Sequence, residues 1–69
     1  MSDSVYKVIE LIGTSSNSWE EAAKKAVERA TKTLREVRIA EVAELDMKIE
    51  DNKVTMYRAR VRVSFKFEN

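Results

Sequence analysis

The stretch Thr55-Met-Tyr-Arg-Ala-Arg-Val-Arg-Val-Ser-Phe-Lys-Phe67 decides how the rest of this chain must fold. From Tyr57 on, its odd positions are apolar: Tyr57, Ala59, Val61, Val63, Phe65 and Phe67. Most of its even positions are cationic: Arg58, Arg60, Arg62 and Lys66. Strict alternation of this kind is the period of a β-strand with two unlike faces. Extended from Val54 to Phe67, the strand is roughly 45 Å long. The remaining residues must supply a cover for its apolar side and partners for its arginines.

Little material is left for either task. The chain has 69 residues and 36% of them are charged, with a net charge of +1. That length predicts one domain, residues 1–69, with a marginal core, and chains of this size usually need a staple. There is no cysteine and no histidine, so disulfides, thiolate metal sites and the commonest general base are excluded. Self-association is the staple that remains. The near-cancelled charge argues against a nucleic-acid partner. No apolar run approaches the ~18 residues of a membrane span, and MSDSVYKV lacks the basic and apolar regions of a signal peptide. These features predict a cytoplasmic protein with no membrane partner.

Upstream, Val5–Ile12 (VYKVIELI) predicts a strand with apolar residues on both faces, Ile9 and Leu11 on one and Tyr6, Val8 and Ile12 on the other. Gly13, the only glycine, opens a polar stretch, GTSSNS, which reads as a turn. Ser18-Trp19-Glu20-Glu21 fits a capping box, with Ser18 as the cap and Glu21 three residues on. The helix it starts runs to about Leu34 and presents a face made mostly of alanine: Ala22, Ala23, Ala26 and Ala30 with Trp19, Val27 and Leu34. Val37–Ile49 predicts a second strand, and Glu50-Asp51-Asn52-Lys53 a turn into the last one. The order is β-α-β-β, an α+β domain.

The hairpin register follows from the two faces. A two-residue loop at Asp51-Asn52 would set Ile39 and Leu45 on the arginine side. A three-residue loop or a bulge corrects this. The expected apolar face then joins Val37, Ile39, Ala43 and Leu45 with Tyr57, Val61, Val63 and Phe65. The polar face brings Glu44 and Asp46 to Arg58 and Arg60. A helix from Trp19 to Leu34 is only about 24 Å long, so part of the apolar face, Phe65 and Phe67 included, is expected to be bare in a single copy. Bare apolar surface and open sheet edges both predict assembly into a closed homo-oligomer.

The stretches VYKVIELIGTS, SWEEAAKKAVERATKTLR and VRVSFKFE, in this order and over Val5 to Glu68, resemble the dodecins. The resemblance implies a three-stranded antiparallel sheet wrapped around one helix, and a hollow homododecamer of four trimers. It also implies a ligand role without catalysis. Flavin-binding dodecins carry Trp-Phe-Glu-Val where this chain reads Ile39-Ala40-Glu41-Val42, and a glutamine where it has Arg58. Ile39, Glu41 and Arg58 are therefore the positions matching the family's flavin site, for FMN or riboflavin. An aliphatic Ile39 replaces the stacking ring, and Arg58 only donates where glutamine also accepts. SWE, ELDM and YRARVRVSF are similar to a branch described as calcium dodecin, which lacks that tryptophan.

Two readings of each charged group follow. Arg58, Arg60 and Arg62 either form a solvated or interface face paired with Glu44 and Asp46, or line a pocket for an anion such as FMN or coenzyme A. Glu44 and Asp46, with Glu50, Asp51 and Asn52, either ligate calcium or form salt bridges and a turn. Calcium wants six to eight oxygens and nothing here resembles an EF-hand loop, so a calcium site would draw on several chains or on carbonyls. Trp19 is expected to pack at the helix start or at a subunit contact. Ser15, Ser16 and Ser18 are expected to serve turns and caps, since no base exists to activate them. An enzyme would have to rely on Glu41, Glu44 or Asp46, and none lies in a recognisable pocket motif. The expected role is a small-ligand binding or storage shell; the alternative is a structural shell with no dedicated ligand.

Overall fold

In a computed structural model, which describes residues 4–67, the alternating strand lies at the centre of the sheet. The elements are β1 (Tyr6–Ser15), α1 (Trp19–Thr33), β2 (Val37–Glu50) and β3 (Lys53–Lys66). The sheet order is β1-β3-β2 and both pairings are antiparallel. β3 thus satisfies backbone groups on both of its sides, while β1 and β2 are edges. Among the described residues, no helix is long and apolar enough to cross a membrane.

α1 begins where the sequence predicts. Ser18 is extended, and its Oγ accepts the Glu21 backbone N–H at 3.0 Å. The reciprocal half of the cap differs from the expected box. The Glu21 carboxylate accepts from the Ser15 hydroxyl and from Asn17 Nδ2, and Ser15 Oγ in turn accepts the backbone N–H groups of Asn17 and Ser18. The Ser15 side chain is buried and organises the whole loop. At the other end Leu34 N–H closes on the Ala30 carbonyl, and Glu36, at φ 59°, turns the chain into β2.

The core is small. Ala22, Ala26 and Ala30 of the helix meet Ala59, Val61 and Val63 of β3, with Ile9, Leu11, Val27, Leu34 and Val37 packed around them. Alanine allows the helix to sit almost on the sheet backbone, and Gly13 completes that approach. A Cβ placed on Gly13 would lie 1.9 Å from the Ala22 carbonyl oxygen and 3.1 Å from the Ala26 Cβ. Gly13 is therefore a strand residue paired with Ala59, and Thr14 and Ser15 extend β1 beyond it. The sequence reading had placed a turn there. Glycine was needed for contact with the helix, not for a bend, as its negative φ confirms.

The hairpin loop is the two residues Asp51-Asn52, at φ 51° and 62°, as a type I′ turn requires. A bulge at Thr55 then restores the register, so that Met47 faces Tyr57, Leu45 faces Ala59, Asp46 faces Arg58 and Glu44 faces Arg60. This part of the expected pairing holds. Val37 also meets Phe65 as expected, but two further bulges, at Ala43 and Arg38, change the stretch between. Past Ala43 the sides exchange: Val42 pairs with Val61 and Glu41 with Arg62, while Ile39 pairs with Ser64 on the arginine side. Ile39 does not join the apolar face, and Ala43 is the unpaired, half-buried residue of its bulge.

The uncovered region is also displaced from where the strand lengths suggested. α1 lies over the Tyr57–Phe65 half of β3, and Phe65 is half-buried. Phe67 is exposed as expected, but most of the bare surface lies on β2 and the hairpin, where Val42, Leu45, Met47, Ile49 and Val54 are exposed. On the opposite sheet face Tyr6, Val8 and Ile12 of β1 are exposed as well, so the two-sided cover expected for that strand does not come from its own chain.

Candidate functional site

The arginine face of the sheet holds Ile39, Glu41, Glu44 and Asp46 with the three arginines, while Glu50, Asp51 and Asn52 lie at the hairpin turn. Its axis is Arg58, Arg60 and Arg62 of β3, two residues apart and thus on one side of the strand. Each meets a carboxylate directly across the sheet. Arg58 grips Asp46 with two bonds, Nε to Oδ1 at 2.8 Å and Nη2 to Oδ2 at 3.1 Å. Arg60 Nη1 lies 3.0 Å from Glu44 Oε1. Arg62 is shared between neighbours on both sides, at 3.1 Å from Glu10 on β1 and 3.8 Å from Glu41 on β2. The result is a ladder of ion pairs across all three strands.

The pairing fixes protonation. The hydrogen-bonded guanidinium of Arg58 holds the Asp46 carboxyl below the usual carboxylate range, and Asp46 raises the Arg58 pKa in return. Hydrogen bonds from Ser15 and Asn17 lower the Glu21 carboxyl in the same way at the helix start.

Trp19 ties the two sheet faces together. From the first turn of α1 its indole Nε1–H donates to the Asp46 carbonyl at 3.0 Å, and its ring meets Tyr57 edge-on at 5.1 Å. Asp46 is thus held at its backbone by the tryptophan and at its side chain by Arg58. Beside Trp19, a groove of about 410 Å³ runs between α1 and β2, lined by Glu20, Ala23, Val42 and Leu45. Sequence reasoning placed Trp19 at the helix start correctly. It missed the bond to Asp46, because no local pattern links residues so far apart in the chain.

The predicted site residues divide into two groups. Arg58, Asp46 and Glu44 adjoin one another. Ile39 sits opposite Ser64, six residues further along β3 from Arg58, which is roughly 20 Å. Glu41, opposite Arg62, lies between them. One chain therefore does not bring Ile39 and Arg58 against a common flavin ring. It does not complete a calcium site either. Glu44 and Asp46 are each engaged by an arginine, and among the described residues of one chain no three acidic groups converge. Glu10, which joins the ladder through Arg62, was not anticipated, since its strand position alone gives no sign of its partner.

Comparison with known proteins places this geometry. A family model described as Dodecin matches residues 5–68. The calcium dodecin of Mycobacterium tuberculosis is 49% identical over 63 residues, covering 91% of this chain and 89% of that protein. Its crystal structure, described as that of a calcium-chelating antigen with a novel calcium-binding site, superposes with a TM-score of 0.84 over 94% of this chain and 93% of that one. The dodecin of Thermus thermophilus is 41% identical over 64 residues, 93% of each chain. The Streptomyces coelicolor dodecin structure, 35% identical, gives a TM-score of 0.91 over 100% of this chain and 99% of that one. With the β-α-β-β order, the antiparallel sheet packed on one helix and the family match agreeing over nearly the whole length, this chain belongs to the dodecin family.

Proposed function

We propose that this chain is a non-catalytic binding and storage subunit that assembles with copies of itself into a hollow homododecamer built from trimers, in the cytoplasm, and holds a small ligand where subunits meet. One observation carries the reading: the single copy is too open to stand alone. Its accessible surface is 5573 Å², against roughly 4,450 Å² for a compact monomer of this mass. Its radius of gyration is 14.4 Å, against about 11 Å for a compact chain of this length. Exposed apolar side chains stand on both sheet faces, Leu45 and Met47 on one and Tyr6, Val8 and Ile12 on the other, and neighbouring copies are the economical cover.

The ligand reading is calcium ahead of flavin. Ile39 offers no ring for stacking at the position matching the flavin tryptophan, and the relative sharing 49% identity is a calcium dodecin. In this reading Glu44 and Asp46 meet carboxylates or carbonyls of adjacent chains at a junction. The alternative, a shell without a dedicated ligand, is favoured by one specific fact: both carboxylates already have arginine partners.

Calorimetry of calcium binding to the metal-stripped assembly, with FMN titrated separately and followed by flavin fluorescence, tests the ligand. Heat with Ca²⁺ and a raised melting temperature support calcium. Quenching of FMN at tens of micromolar supports flavin. Silence in both leaves the structural shell as the function.

A further inference from the structure

The bond between Asp46 and Arg58 differs from the other pairs of the ladder. It has two contacts where the Arg60 pair has one, and its acid is fixed from behind by Trp19. A guanidinium gripped by a carboxylate through Nε and Nη2 has that bidentate edge filled and its charge balanced by the partner. Arg58 also stands at the position that resembles the ring-edge contact of flavin binders. We propose that Asp46 is a specificity-determining residue: it acts as an internal anion that occupies Arg58, and by doing so it excludes phosphate-bearing ligands from this part of the shell.

The chemistry is a competition for one fork. A phosphate oxygen pair and a carboxylate present similar acceptor geometry to the guanidinium, so they cannot both hold the same edge. The tethered carboxylate wins because it lies directly across the ladder and needs no ordering from solution. Removing its charge while keeping its shape frees Arg58 without disturbing the carbonyl to which Trp19 donates. Arg60, the next guanidinium on the same face, keeps its own carboxylate, Glu44, at 3.0 Å, so the gain on removing the Asp46 charge is expected at Arg58 alone.

The inference rests on the shell reading of the function, and the test separates the two. Inorganic pyrophosphate is titrated by calorimetry into the assembled wild-type protein, Asp46→Asn, Asp46→Asn with Arg58→Gln, and Glu50→Gln, with light scattering on each sample. Glu50→Gln removes a carboxylate paired with Lys48 elsewhere on the hairpin and controls for net charge. The expected result is at least tenfold tighter pyrophosphate binding in Asp46→Asn, abolished in the double variant and absent in Glu50→Gln. An equal gain in Glu50→Gln, or no gain in Asp46→Asn, overturns the proposal and leaves the shell reading intact. Should Asp46→Asn lose the assembly, Asp46→Ser takes its place. Loss of assembled mass in both variants makes the pair structural and also overturns it. A monomeric wild-type protein refutes the shell reading instead.

Discussion

At the scale of single residues, the fold depends most on one that has no side chain. Gly13 permits the Ala22 carbonyl to approach the sheet, and any Cβ collides with backbone that cannot step aside. Gly13→Ala is expected to destabilise the protein by about 3 kcal/mol or more, as severe overpacking does, read as a lowered denaturant midpoint. The sequence showed the glycine and the alanine-rich helix separately. What it could not show is that they touch, since that depends on the helix returning over its own strand. Glu21 is a second case. Its carboxyl, like those of Glu36 beside Arg38 and Asp46 beside Arg58, titrates below its ordinary value in the folded state. Unfolded carboxyls titrate near ~4. The stability these groups contribute is therefore complete above that pH and is lost as pH falls through their lowered folded values. Melting temperatures measured from pH 7 to pH 2 should fall below about pH 4, and Glu21→Gln should flatten part of that fall.

At the scale of elements, α1 and β3 were legible because each carries its period and its boundary signals locally. β2 was only half legible. Its alternation suggested one continuous face from Val37 to Leu45, yet bulges at Ala43 and Arg38 reverse the sides between them and carry Ile39 to the arginine face. A bulge leaves no fixed mark in the sequence; it is set by which residues find partners across the ladder. In retrospect Glu41 was the sign, since a glutamate in the supposed apolar face could reach Arg62 only by such a change of side. The hairpin turn is more local. Asn52 holds a left-handed conformation that costs most side chains ~1–2 kcal/mol. Asn52→Ala should lower stability by about 1 kcal/mol, while Asn52→Gly should not, as chemical denaturation of the two variants will show.

At the scale of the whole molecule, the sequence showed that one helix was too short for its sheet, and self-association followed from that mismatch. Where the bare surface lies followed only in part, since Phe67 is exposed as expected. Phe65 is sheltered by its own chain, whereas β2, the hairpin and the outer side of β1 are exposed, because the helix lies toward one end of a molecule 55 Å long. The positions matching the family's flavin site share this dependence: Ile39 and Arg58 lie roughly 20 Å apart along the sheet in one copy. Leu45→Asp, which puts a charge into the groove beside Trp19, should shift the particle to smaller species and lower its melting temperature by about 5 °C or more. The most direct test of the account is the mass of the purified protein in solution at micromolar concentration, by sedimentation or light scattering. The account predicts a particle of about twelve times the 8.0 kDa chain, and a folded, stable single chain would contradict it.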